Sequence, residues 1–299
     1  MSMNRSYLLL PLLLATFASC EKDENEEPEP GVVDDGPHLI LKFKFDSTQA
    51  RLNAFGLPST MPAGHEAQCP RSNRMSAHYV EFAPNAFTAL QAGDVVYQAA
   101  ETTAGGSNAI DFNEVEEAGD GGIFLNIPLS ELDTGTYDWL RVSLAYQNYD
   151  IKLSAFGNPL QGAVASFIGF RTYIGSYLIQ DSVVHVNANR AQGYWGFEVA
   201  DPPVWLPSAV YTGQSSGTTV VNPLFNSSPI PAGSCVVTGQ FASTLHITGS
   251  ETEDLTIVVS LSTNDSFEWV EHGGNAVYEP LQGDTVVDMG IRGMIPLVQ

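Results

Sequence analysis

After its first 20 residues the chain never sustains an apolar run. Gly, Pro, Asn or Asp interrupts each stretch, and 27 glycines and 18 prolines are spread over 299 residues. Such punctuation excludes long helices and leaves short segments of period-two alternation, the pattern of a strand with one face buried. Residues 38–45 set the type, with Leu39, Leu41, Phe43 and Phe45 alternating against Ile40, Lys42 and Lys44. Similar signals predict strands over 77–82, 122–127, 137–146, 163–172, 176–179, 183–187, 194–199, 234–247, 255–261 and 286–296. Turn chemistry joins them at Asp133-Thr134-Gly135, Gly105-Gly106 and Asn158-Pro159. Two short helices are expected in loops, over 47–52 behind Asp46-Ser47 and over 85–91 behind Pro84. The expectation is an all-β, mainly antiparallel body, a β-sandwich with short helices in its loops. No internal repeat of fixed period is visible. The body spans 37–299, as one domain or as two subdomains divided near 155–160.

The first residues follow a different logic. One cation (Arg5), an apolar run over 7–17 and the small pair Ala18-Ser19 make a secretory signal. That run is too short to span a bilayer as a helix. Cys20 directly behind Ala18-Ser19 resembles the lipobox of bacterial lipoproteins, with Phe17 where that family usually carries Leu. The resemblance implies cleavage after residue 19 and a lipidated Cys20, whose acyl chains, at about 0.8 kcal/mol per buried methylene, fasten a protein to a membrane. Behind it, residues 20–36 read as an acidic solvated tether, too polar to offset the entropy of ordering. Within the tether, Lys22-Asp23-Glu24 resembles the export signal of Bacteroidota lipoproteins, which implies display on the outer face of the outer membrane.

Charge narrows the partners. The chain carries −22; eight acids and one lysine over 21–35 give the tether −7, and with Arg5 set aside the rest holds −16. A body so acidic lacks the Lys and Arg needed to displace counterions from nucleic acid, and is repelled by anionic lipid. The expected partners are the membrane, through the N-terminal lipid, and a glycan, a metal ion or another envelope protein. No cofactor is implied.

Cys69 and Cys235 remain in an exported compartment that permits a disulfide, so a bridge between them is expected. The run TGTYDWLRVSLAYQNYDI, around Tyr137 and Leu140, and the run SAHYVEFAPNAFTAL over 76–90 resemble strands of lipoproteins related to the methanobactin-associated copper-binding periplasmic family. That resemblance implies a β-sandwich. It transfers no copper site, because no matching histidine pair is present.

Several motifs compete for a chemical role. Gly213, Ser215 and Gly217 form a Gly-x-Ser-x-Gly string, but the β-prone Thr218-Thr219-Val220-Val221 that follows lacks the helix of a nucleophile elbow. His38, His65, His78, His185, His246 and His272 are scattered, with no two at the close spacing of a local metal pair. Glu268, Glu271, Asn275 and Glu279 resemble an acidic calcium loop but fail its spacing. Asp46-Ser47-Thr48, Asp181-Ser182-Val183 and Asp284-Thr285-Val286 resemble the O-glycan acceptor of exported Bacteroidota proteins. Tyr194, Trp195, Trp205 and Tyr211 gather around Asp201-Pro202-Pro203, where flat rings could stack on sugars. The leading expectation is a non-enzymatic, lipid-anchored surface protein that binds a ligand or partner. The alternatives are an envelope hydrolase using paired carboxylates such as Asp111, Glu114 and Glu116, or a copper- or metal-binding lipoprotein.

Overall fold

One strand organises the body. In the computed structural model, which describes residues 36–53, 57–204, 206, 210–215 and 235–299, β8 (Gly135–Ala155) runs for 21 residues. Along one edge it pairs with β3 (Arg71–Ala83) over residues 139–150. The other edge is shared: β14 (Cys235–Ile247) takes residues 135–144 and β9 (Asn158–Phe167) takes 146–155. Residues 140–149 are all buried, so here both faces of the sheet are covered. A strand in that position usually carries a near-continuous apolar run, but here Arg141, Ser143, Gln147 and Asn148 are buried with the apolar residues.

β12 (Tyr194–Ala200) and β13 (Val210–Gln214) extend the sheet beyond β9, and β4 (Asp94–Gln98) closes it beyond β3. Three smaller sheets lie against this seven-stranded one. The first has the order β18 (Met294–Val298), β15 (Leu255–Ser262), β1 (His38–Asp46), β7 (Ile123–Pro128). In it β1 runs parallel to β15 and antiparallel to β7. Leu39, Leu41 and Phe43 of β1 meet Leu140, Val142 and Leu144 of β8 in the largest apolar core, each such side chain contributing about 1.5–3 kcal/mol on burial.

The second small sheet runs β11 (Val183–Ala191), β10 (Arg171–Leu178), β6 (Ala109–Asp111), β5 (Glu101–Thr102). It packs Ile174 and Tyr177 against Tyr146 and Phe167. The third runs β17 (Thr285–Asp288), β16 (Phe267–Val270), β2 (His65–Gln68). Phe267 and Trp269 of that sheet cover Tyr149 and Ile151 on β8. The body is therefore all-β and mainly antiparallel, as alternation predicts, with sheets stacked in the manner of a sandwich.

Two expectations need correction. Among the described residues there is no α-helix, only three-residue 3-10 turns at Phe112–Glu114, Leu129–Glu131 and Pro280–Gln282. Asp46 accepts from the backbone N–H groups of Thr48 and Gln49, which turns the chain at the end of β1 without starting a helix over 47–52. Asn85 makes the same kind of turn with Phe87. Of the two layouts expected for the body, a single unit fits the hairpin that β8 and β9 form across 155–160 and the clustering of 36–299. Cys69 and Cys235 are not bridged. The Cys69 thiol is exposed and receives the Asp265 N–H at 3.3 Å, whereas Cys235 opens β14 inside the main core, fully buried.

Candidate functional site: an aromatic cleft at the end of the long hairpin

The two faces of β12 have different fates. Successive side chains of a strand point to opposite sides, so Tyr194 and Trp195, neighbours in sequence, part company. Tyr194 is buried among Tyr146, Phe167 and Tyr177, with the Arg190 guanidinium 5.0 Å from its ring centre. Trp195, Phe197 and Val199 face the other way and line a cleft of about 480 Å³. That volume lies within the range of small-molecule sites.

Two glycines make room for the rings. Trp195 sits opposite Gly213 on β13, where a Cβ would fall 2.3 Å from the indole. Phe197 lies over Gly162 on β9, where a Cβ would fall 2.3 Å from its ring. Tyr211 stands across from Phe197, with ring centres 6.3 Å apart. Gly213 thus seats an indole, and Ser215, two residues on, also lines the cleft.

The opposite wall comes from residues 267–289. Phe267 and Tyr278 pack with ring centres 5.1 Å apart, and Pro280, Leu281, Val286 and Met289 continue the apolar surface. Ile151, Leu153, Leu160 and Val164 of the β8–β9 hairpin lie between the walls. Asp284 also lines the cleft, but its carboxylate accepts the backbone N–H groups of His272 at 2.9 Å and Glu279 at 2.7 Å, with its side chain 1% exposed. Burial, with help from the Asp284 charge, pushes the Tyr278 phenol up to about 12, so it stays protonated at physiological pH.

The hairpin tip is unusual. Phe156 and Gly157 form the two-residue turn, both with positive φ, 52° and 73°. Asn or Gly is the natural choice at such a position, yet Phe156 holds it, 69% exposed at the edge of the cleft. Leu281 and Tyr211 are exposed on the same rim. A larger and more polar groove of about 1060 Å³ runs past Lys152, Asn158, Gln161 and Asp201 of the same region.

Behind the cleft, β16 is fixed by a charged network on its other side. Glu268 accepts from Arg51 at 2.7 Å and bonds His65 at 2.6 Å, with Arg292 at 3.6 Å. Burial opposes its charge, but the Arg51 and His65 bonds outweigh burial and hold the carboxyl below its ordinary value. Glu198, on the Tyr194 face of β12, accepts the N–H groups of Gln180, Asp181 and Ser182 and the Ser182 hydroxyl. Burial again opposes ionisation, and these bonds again prevail, keeping its carboxyl low.

The other sequence candidates fall elsewhere. Trp205, Gly217, Cys20 and the Lys22-Asp23-Glu24 triplet lie outside the described residues. Asp111 caps the 3-10 turn at Asn113, and Glu114 and Glu116 are exposed beside it, away from the cleft. Glu271 accepts from the Trp269 indole and the Gly274 N–H, while Asn275 donates to Glu279. His38, His78 and His246 bond Asn126, Glu101 and Thr136 respectively, and His185 is exposed on β11. Among the described residues no three His, Cys, Asp or Glu side chains gather as metal ligands, and no helix is long and apolar enough to cross a membrane. The Ser182 and Thr285 hydroxyls are engaged by Glu198 and the Gly283 carbonyl. Sequence reasoning found Trp195 and Tyr211 but missed Phe156, Phe197, Phe267 and Tyr278, which come from four segments. The chain matches no protein-family model, no curated protein and no solved structure.

Proposed function

We propose that this chain is an exported, lipid-anchored binding protein of the cell surface, and that the aromatic cleft beside the β8–β9 hairpin is where its body takes a ligand. The anchor reading rests on the signal-like start, Cys20 and the acidic tether behind it. The binding reading rests on one observation: rings from Trp195, Phe197, Tyr211, Phe267 and Tyr278 converge on an open cleft of about 480 Å³. Folding alone favours closing such a surface, since each exposed large apolar side chain forgoes about 1.5–3 kcal/mol.

The two halves are tested separately. Cys20→Ala is expected to move the protein from the membrane fraction of its native host to the soluble fraction; unchanged retention contradicts the anchor. For the cleft, a neutral environment-sensitive dye added to the full chain is expected to brighten and to raise the melting temperature. Trp195→Ala is expected to weaken dye binding at least about tenfold. Equal binding by the variant contradicts the assignment.

A further inference from the structure

We infer that the cleft is selective for the uncharged aliphatic chain of a lipid-like molecule, such as a long-chain alcohol or neutral acylglycerol, and rejects both anionic amphiphiles and free sugars. This rests on the cleft being the ligand site. Three independent features point to the ligand class.

The first is charge. No lysine or arginine lines the cleft among the described residues. Its one carboxylate, Asp284, is buried and committed to backbone N–H groups. A carboxylate, phosphate or sulfate entering here would lose hydration, gain no cation and face a like charge in a medium of reduced dielectric. An uncharged ligand meets none of these penalties.

The second is the scarcity of polar partners. A sugar stacked on a ring also needs several hydrogen-bonding groups around its hydroxyls, because each buried hydroxyl without a partner is costly. Beside Asp284, the hydroxyls of Ser215 and Thr285, the Tyr278 and Tyr211 phenols and the Trp195 indole N–H are the polar side-chain groups of this surface, set among fourteen apolar side chains. The walls between the rings are aliphatic, formed by Leu153, Leu160, Val286 and Met289. Aliphatic walls give a hydrocarbon chain contacts along its length.

The third is the mouth. Phe156 occupies a left-handed turn position, which costs a non-glycine residue about 1–2 kcal/mol, and then leaves its ring 69% exposed. Leu281, 58% exposed, stands on the same rim. An apolar mouth of this kind gives a hydrocarbon chain leaving a micelle or membrane its first contact.

The experiment is competition against the neutral dye on the full-length chain. A long-chain primary alcohol, the fatty acid of equal length and a free hexose are compared at neutral pH, and the acid is then followed downward in pH. The alcohol is expected to displace the dye at least about tenfold more tightly than the acid. The acid should approach the alcohol as its own carboxyl protonates, and the hexose should not compete. Thr285→Lys, a change at an exposed position of β17 that lines the cleft, is expected to raise the acid-to-alcohol affinity ratio about tenfold. A fatty acid as tight as the alcohol at neutral pH, or displacement by the hexose, overturns the selectivity while leaving the cleft as a ligand site. A dye that does not bind, together with an alcohol that does not shift the melting temperature, overturns both.

Discussion

The two halves of β8 solve the same burial problem in different ways. In the first half, over 135–144, one face meets β1 and its neighbours in the largest apolar core, and the other is sealed by residues 84–93. Beneath that cover Arg141 and Glu81 lie fully buried, 3.6 Å apart, and the Arg141 guanidinium donates to the Ala86 and Ala89 carbonyls. In the second half, over 146–155, one face is covered by β10 and β11, while the other meets β16 and ends in an open, ring-lined cleft. The first half is closed and carries a buried charge pair. The second ends in an accessible cleft whose lining holds no lysine or arginine among the described residues. One continuous strand can thus support both a rigid foundation and a receptive end.

The comparison breaks first at the charge pair. Arg141→Met leaves the Glu81 carboxylate buried without its counter-ion, and is expected to lower stability by about 3–5 kcal/mol in denaturant unfolding. Arg141→Met with Glu81→Leu should recover most of that loss, because two apolar residues can replace a buried pair. Dye affinity in the folded fraction should not change. If either variant alters affinity strongly, the halves are not separable in the way described.

Glu198→Ala tests the packing beneath the cleft. It removes the acceptor of three backbone N–H groups, with an expected cost of about 2 kcal/mol. The carboxyl is held below its unfolded value, so its contribution is complete above the unfolded pKa and is lost as pH falls through the lower folded value. The wild-type-to-variant stability gap should therefore be full at neutral pH and shrink in acid. A gap that grows in acid would reverse the assigned sign.

Phe156→Gly should have the smallest effect on folding and the most telling one. Glycine adopts the left-handed turn freely, so stability should stay level or rise by up to about 1 kcal/mol, while dye capture weakens. A variant that loses stability and keeps full binding would show that the ring serves the fold.

Much of this architecture was legible beforehand, for physical reasons that differ by element. β1 alternates because one face is in the core and the other is not, so Leu39, Leu41 and Phe43 announced themselves. β8 was recognised over 137–146, where Leu140, Val142 and Leu144 alternate with Arg141 and Ser143, but not to its full length, since Gln147-Asn148 interrupts the apolar pattern although both residues are buried. The region 286–296 reads as one strand, yet it is β17 and β18 with residues 289–293 between them. Short strands such as β2 and β5 carry too few apolar residues to register. For the cleft, period-two geometry alone separates Tyr194 from Trp195, so their grouping was avoidable. The same geometry puts Phe197 on the face of Trp195, whereas Phe267 and Tyr278 were not recoverable, because only the pairing of distant segments brings them there. Gly213 and Gly162 are the residual signal, each placed opposite a ring once the register is known.

The chain has four tryptophans, and Trp139 lies in the first half of β8 while Trp195 lines the cleft. Fluorotryptophan NMR, assigned by single Trp→Phe changes, can follow both as the long-chain alcohol is added. A shift at Trp195 with Trp139 unmoved is the predicted result; a moving Trp139 beside a silent Trp195 would contradict it.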